Sequence, residues 1–91
     1  MNESTIEARL IRGVHRQGGR CEKWGRHGWP DRIIIWPGGR IDFVETKAPG
    51  ERLRALQQKR AETLRALGAR VYMLDSPRAV DEYIEGVSHA L

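Results

Sequence analysis

The chain has 91 residues, enough for one hydrophobic core and too few for two, so one domain is expected, and it needs a partner, a metal or tight packing to cover its surface. Its 16 lysines and arginines against 12 acids, with a net charge of +4 and a pI near 9.8, favour a polyanionic partner over an apolar ligand. The lone Cys21 excludes an intrachain disulfide, no C-x-x-C or H-x-x-H spacing offers a zinc site, and with neither a signal peptide nor a membrane-length apolar run the expectation is a cytoplasmic protein without a membrane contact.

Ser4-Thr5-Ile6-Glu7 has capping-box spacing, and Ile6, Leu10, Ile11 and Val14 recur on one helical face. This predicts a helix from Thr5 to Arg16, ended by Gly18-Gly19. Arg20 to Trp24 reads as a short strand without clean alternation, and Gly25-Arg26-His27-Gly28 as a flexible basic loop. The stretch from Gly28 to Lys47 then organises the chain. Asp31 opens a β-branched run ending at Trp36, Pro37-Gly38-Gly39-Arg40 turns, and Ile41 to Lys47 returns as the second strand of a hairpin. Side chains two apart share a face, so Glu45 and Lys47 extend the side begun by Ile41 and Phe43, and antiparallel pairing brings Asp31 to their level. The expectation is a polar site perched on a core, with Trp36 in that core and Asp42 and Asp75 as exposed strand-edge or turn acids.

Ala48-Pro49-Gly50 cuts the chain. Leu53, Leu56, the stem of Arg60, Leu64 and Leu67 follow helical spacing to Gly68, a C-cap glycine. Val71 to Leu74, entered from a helix, is expected to pair parallel. Ser76-Pro77 opens a last helix with Val80, Tyr83, Ile84 and Val87 inward. The order α-β-β-β-α-β-α describes an α/β sandwich, a mixed sheet with helices on its faces.

Two acids and a lysine at one end of a sheet suit phosphodiester hydrolysis. A divalent ion holds a scissile-phosphate oxygen and lowers the pKa of a water, and Mg²⁺ keeps several waters, so one to three carboxylates suffice. Asp31 and Glu45 fit as ligands, the Thr46 carbonyl as a further one, and Lys47 as the group that orients the water or stabilises charge on the phosphate.

Pro30-Asp31 followed by Glu45-Thr46-Lys47 resembles the PD-(D/E)xK nuclease superfamily. The amphipathic first helix with its acid, Gly28-x-Pro30-Asp31-Arg32 ahead of an aliphatic strand, Phe43-Val44-Glu45-Thr46-Lys47-Ala48-Pro49-Gly50, and Leu56-Gln57 before Leu67-Gly68 resemble the small stand-alone virus-type replication–repair nuclease (VRR-NUC) domains over nearly the whole chain. The resemblance implies a restriction-endonuclease-like fold and a Mg²⁺- or Mn²⁺-dependent DNA endonuclease. It also implies an acid from the first helix in the metal shell, matched by Glu7, and a catalytic-site glutamine, matched by Gln57 rather than its neighbour Gln58. Stand-alone members imply a homodimer acting on branched DNA, above all four-way junctions. The short basic loop from Trp24 to Trp29 departs from the pattern.

Several residues carry a second reading. Glu7 sits where a capping-box glutamate would bond to the backbone, Glu3 precedes the expected helix, and Gln57 is compatible with a solvent-facing helix position. Trp24 and Trp29 suit core packing or base stacking. His15 and His89 read as surface residues, and His27 lies close enough to the motif to touch phosphate. Arg26, His27, Arg32, Arg52, Arg54, Lys59 and Arg60 bracket the site as a basic rim for a DNA backbone. A non-catalytic nucleic-acid-binding domain of the same fold is the alternative function, and a restriction-type enzyme would need a sequence-reading element for which the chain has little room. For a dimer interface, the last helix (Val80, Tyr83, Ile84, Val87) and Ile11 of the first helix are open choices.

Overall fold

In the computed structural model, which describes residues 2–91, Asn2 and not Ser4 caps the first helix. Its Oδ1 accepts the Thr5 N–H at 2.9 Å, so α1 runs Glu3–Arg16 and begins earlier than Ser4-x-x-Glu7 suggested. The remaining elements follow the expected order: β1 (Arg20–Lys23), β2 (Arg32–Ile35), β3 (Ile41–Thr46), α2 (Ala55–Ala66), β4 (Arg70–Leu74) and α3 (Pro77–Ala90). Ser76 caps α3 through the Ala79 N–H at 3.0 Å, with Pro77 in its first turn.

The four strands lie in the order β1-β2-β3-β4. The first two pairings are antiparallel and β3–β4 is parallel, as expected for a strand entered from a helix. Helices α1 and α3 cover one face, where Ile6, Leu10, Val14, Val80 and Val87 meet Ile34, Val44 and Leu74. Gly13 lets these helices approach, because a Cβ there would run into Ile84. Helix α2 lies against β4 on the other face.

The core is on the opposite side of β3 from the one expected. Asp42, Val44 and Thr46 are completely buried beneath α1 and α3, whereas Ile41 is 48% exposed and Phe43 is half-buried. Alternation places Glu45 and Lys47 on the face that only α2 and the Trp24–Trp29 segment cover. Asp42 is therefore no edge acid. It accepts from Tyr83 Oη at 2.6 Å, Arg70 Nε at 2.8 Å, Arg40 Nε at 3.1 Å and Trp36 Nε1 at 3.2 Å. Burial alone would raise its pKa, but these donors outweigh burial and hold the carboxyl below its ordinary value. Val80, Tyr83 and Val87 are buried within the chain, which removes them as an interface to a second copy.

Candidate active site

Asp31 lies one residue before β2 and Lys47 one residue after β3. Extending the Arg32↔Val44 register by one step sets Asp31 opposite Glu45. Asp31 is held from two sides: its carbonyl accepts the Trp24 N–H at 2.8 Å, and its Oδ2 accepts the Thr46 N–H at 3.1 Å and hydroxyl at 3.2 Å. Lys47 is tied in by its own N–H to the Leu74 carbonyl at 3.0 Å, which extends the parallel ladder past the end of β3.

Glu45 is only 4% exposed. Burial, and then the hydrogen bond and charge of adjacent Asp31, push its carboxyl up to about 8, against a smaller opposing pull from Lys47. Glu3 belongs to the same electrostatic neighbourhood. Its carboxyl is raised by burial first and by Asp31 next, with Lys47 opposing. Acids set side by side with one lysine among them form a site that a hard cation would stabilise, and oxygen donors are what Mg²⁺ and Mn²⁺ take. Among the described residues no group of three or more Asp, Glu, His or Cys side chains stands close enough together to hold a metal ion.

Glu7 lines the same cleft as Glu3, Asp31 and Gln57. It does not cap α1 but pairs with Arg32, at 3.3 Å from Nη2 to Oε1 and 3.4 Å from Nε to Oε2. The same contact withdraws Arg32 from the basic rim, since its side chain is 15% exposed and also reaches the Cys21 carbonyl. Glu3 stands one helical turn before Glu7 on the same side of α1. The signal that could have found it was Asn2, a better N-cap than the one inferred, which moves the helix start and puts Glu3 in the first turn.

A cleft of about 820 Å³ runs from this site along the Trp24–Trp29 segment, with Glu3, Asp31 and Gln57 at one end and Trp24, Arg26 and Trp29 along its wall. Gln57 does two things. Its Oε1 accepts the Arg54 N–H at 2.9 Å at the start of α2, and its side chain lines the cleft. Gln58 bonds the Leu53 carbonyl instead. His27 is exposed at the cleft, Arg26 is exposed over the Trp29 ring, and Arg52, Arg54 and Lys59 are exposed at and before α2. Arg60, read from the sequence for its stem and as part of the basic rim, lies with its guanidinium 4.9 Å from the Trp29 centroid.

With this geometry in place, the comparisons are specific. Residues 3–77 match the model of the VRR-NUC domain. A protein called "Putative nuclease p44", from Acyrthosiphon pisum secondary endosymbiont phage 1, is 43% identical over 79 residues, covering 84% of this chain and 85% of the phage protein. A solved VRR_NUC domain superposes with a TM-score of 0.85 at 32% identity, over 91% of this chain and 94% of that one.

Proposed function

The chain belongs to the VRR-NUC family of nuclease domains, and from this we propose that it is a Mg²⁺- or Mn²⁺-dependent endonuclease that hydrolyses phosphodiester bonds in branched DNA. The observation that carries the reading is the pairing of buried Glu45 with Asp31 beside Lys47, where Asp31 lines a cleft that also carries Arg26 and His27. Nothing in the packing of the fold requires two carboxylates there. Their mutual repulsion and the desolvation of Glu45 are costs that a phosphate-bound cation removes.

Asp31 and Glu45 would hold the ion, with the Thr46 carbonyl as a further oxygen and waters filling the rest of its shell, and the ion when bound supplies Lewis-acid activation of the phosphate and of a water. The chain's own residues do the rest. Thr46 fixes one oxygen of Asp31, so the other is the one a cation meets. Lys47 places a positive charge beside the scissile group, where negative charge grows as the water attacks. Gln57 offers its amide N–H₂ to the cleft, because its Oε1 is held by the backbone of Arg54. Arg26, His27, Arg52, Arg54 and Lys59 align the DNA backbone.

A chain with one such site severs both strands of a junction only as a pair of opposite polarity, which a two-fold dimer provides. Ile35 and Ile41, partners in the β2–β3 register and 40% and 48% exposed, are one exposed apolar pair that such a dimer could cover. Purified protein incubated with linear, flapped and four-way DNA, in Mg²⁺, Mn²⁺ or EDTA, tests the reading. Symmetric nicks on opposing strands of the junction, absent in EDTA, are expected. No cleavage of any DNA with either ion contradicts it.

A further inference from the structure

Trp29 is contacted by two guanidinium groups, with Arg26 Cζ 5.6 Å and Arg60 Cζ 4.9 Å from its ring centroid. Among the described residues neither arginine has a carboxylate in ion-pair range, and the buried Nε of Arg60 has no acceptor. Arg26 therefore stands without a counter-ion on the wall of a cleft that also carries Glu3, Glu7 and Asp31, with Arg60 behind it against Trp29. Trp24 continues the aromatic wall, 5.4 Å from Trp29 and 5.1 Å from Phe43 between ring centroids.

The segment is built rather than slack. The Arg26 N–H bonds the Trp24 carbonyl at 2.9 Å and the Trp29 N–H bonds the Arg26 carbonyl at 3.1 Å. Gly28, at φ +81°, sits so close to Leu56 that a Cβ would meet it at 2.6 Å, which anchors the segment to α2 in a conformation glycine alone tolerates easily.

Indole rings for a base, a guanidinium for its phosphate, and an open cleft of about 820 Å³ make a site of nucleotide chemistry and size. A base inside a duplex is stacked and paired on both sides and cannot enter; an unpaired one can. We propose that the cleft between the Trp24–Trp29 segment and the first turn of α1 is a subsite for one unpaired nucleotide of the DNA strand, its base on the indole wall and its phosphate on Arg26. The subsite selects DNA that is unpaired beside the scissile phosphate. Its position relative to that phosphate rests on the nuclease reading, whereas its binding of the nucleotide needs neither metal nor cleavage.

Fluorescence titration of the full chain in EDTA tests this, using two duplexes that carry 2-aminopurine either paired or as a single extrahelical nucleotide. The bulged duplex is expected to bind at least about tenfold tighter, near the lower end of what stacking one base on an aromatic ring contributes, and its fluorescence to be quenched. Trp24→Leu is expected to abolish both effects. Trp24 also packs on Phe43, so Arg26→Gln, at an exposed position, serves as an independent variant and is expected to reduce the preference several-fold with melting unchanged. Equal affinity for the two duplexes, or a preference that survives the folded variants, overturns the subsite. A chain that cuts DNA in Mg²⁺ without preferring the bulge keeps the nuclease reading and loses the subsite. One that prefers the bulge yet cuts nothing keeps the subsite and loses the nuclease reading.

Discussion

Thr46 donates both its backbone N–H and its hydroxyl to one oxygen of Asp31, Oδ2, at 3.1 and 3.2 Å. The residue between Glu45 and Lys47 thus points its side chain away from theirs, into the core face, and from there fixes the carboxylate across the hairpin. Thr46→Val keeps the β-branched shape and the N–H but removes the hydroxyl. Groups that orient a metal-binding residue are worth roughly 10–100-fold in metal affinity or activity, so a loss of that order in single-turnover rate is expected. Melting should change by only about 1 kcal/mol, as for one hydrogen bond. An unchanged rate would show that the hydroxyl does not position Asp31.

Glu3 and Glu7 are separable. Glu3→Gln is expected to weaken Mg²⁺ binding in calorimetry and to lower cleavage with little effect on melting, because it lines the cleft with Asp31 and their charges interact. Glu7→Gln leaves Arg32 without its anionic partner on a largely covered side chain and is expected to cost about 1–3 kcal/mol of stability while metal binding persists. The reverse pattern would return the ligand role to Glu7.

Glu45 sets a pH dependence whose sign is fixed. Its carboxyl, ordinarily at 4.5, is raised to about 8, so between those values the folded chain holds a proton that the unfolded chain releases. The stability it contributes is complete below the lower value and is lost as pH rises toward the upper one. The melting temperature of metal-free wild type minus that of Glu45→Gln should therefore fall from about pH 5 to about pH 8. Mg²⁺ binding near neutral pH should release a proton, measured by calorimetry in buffers of different ionisation enthalpy. A difference that is flat or rises with pH would contradict the assignment.

Asp42 behaves in the opposite sense. Tyr83, Arg40 and Arg70 overcome its burial and hold it below its ordinary 3.8, so its stabilisation is present above that value and is lost as pH falls through the lower folded one. Asp42→Asn removes the charge facing two arginines and is expected to cost about 3 kcal/mol in thermal or urea unfolding. A cost under about 0.5 kcal/mol would mean the cluster is not structural.

Element order, the hairpin, the parallel fourth strand and the Asp31–Glu45–Lys47 grouping were legible because they depend on local signals: apolar period, turn residues and strand alternation. What was not legible depended on which face of the sheet the helices chose. Alternation assigns Glu45 and Asp42 to opposite faces but does not say which face is covered. Ile41 and Phe43 suggested one answer, and α1 and α3 took the other. Asp42 then became buried, with its donors arriving from Arg70 and Tyr83, which are distant in sequence. The Glu7–Arg32 pair was hidden for the same reason, since neither partner marks the other locally. Glu3 was placed ahead of the helix for a local reason, because Asn2 outcompeted Ser4 as the helix cap.

The measurement that bears most directly on the metal site is the single-turnover cleavage rate of a labelled four-way junction against Mg²⁺ and Mn²⁺ concentration, for wild type, Asp31→Asn and Glu45→Gln. Each substitution keeps the side chain's shape and removes a hard anionic ligand. Wild type is expected to cut with saturable dependence on either ion and not in EDTA, and both variants to fall to background while melting at or above the wild-type temperature. Wild-type turnover in either variant across the whole range of both ions would show that these carboxylates do not hold a catalytic metal.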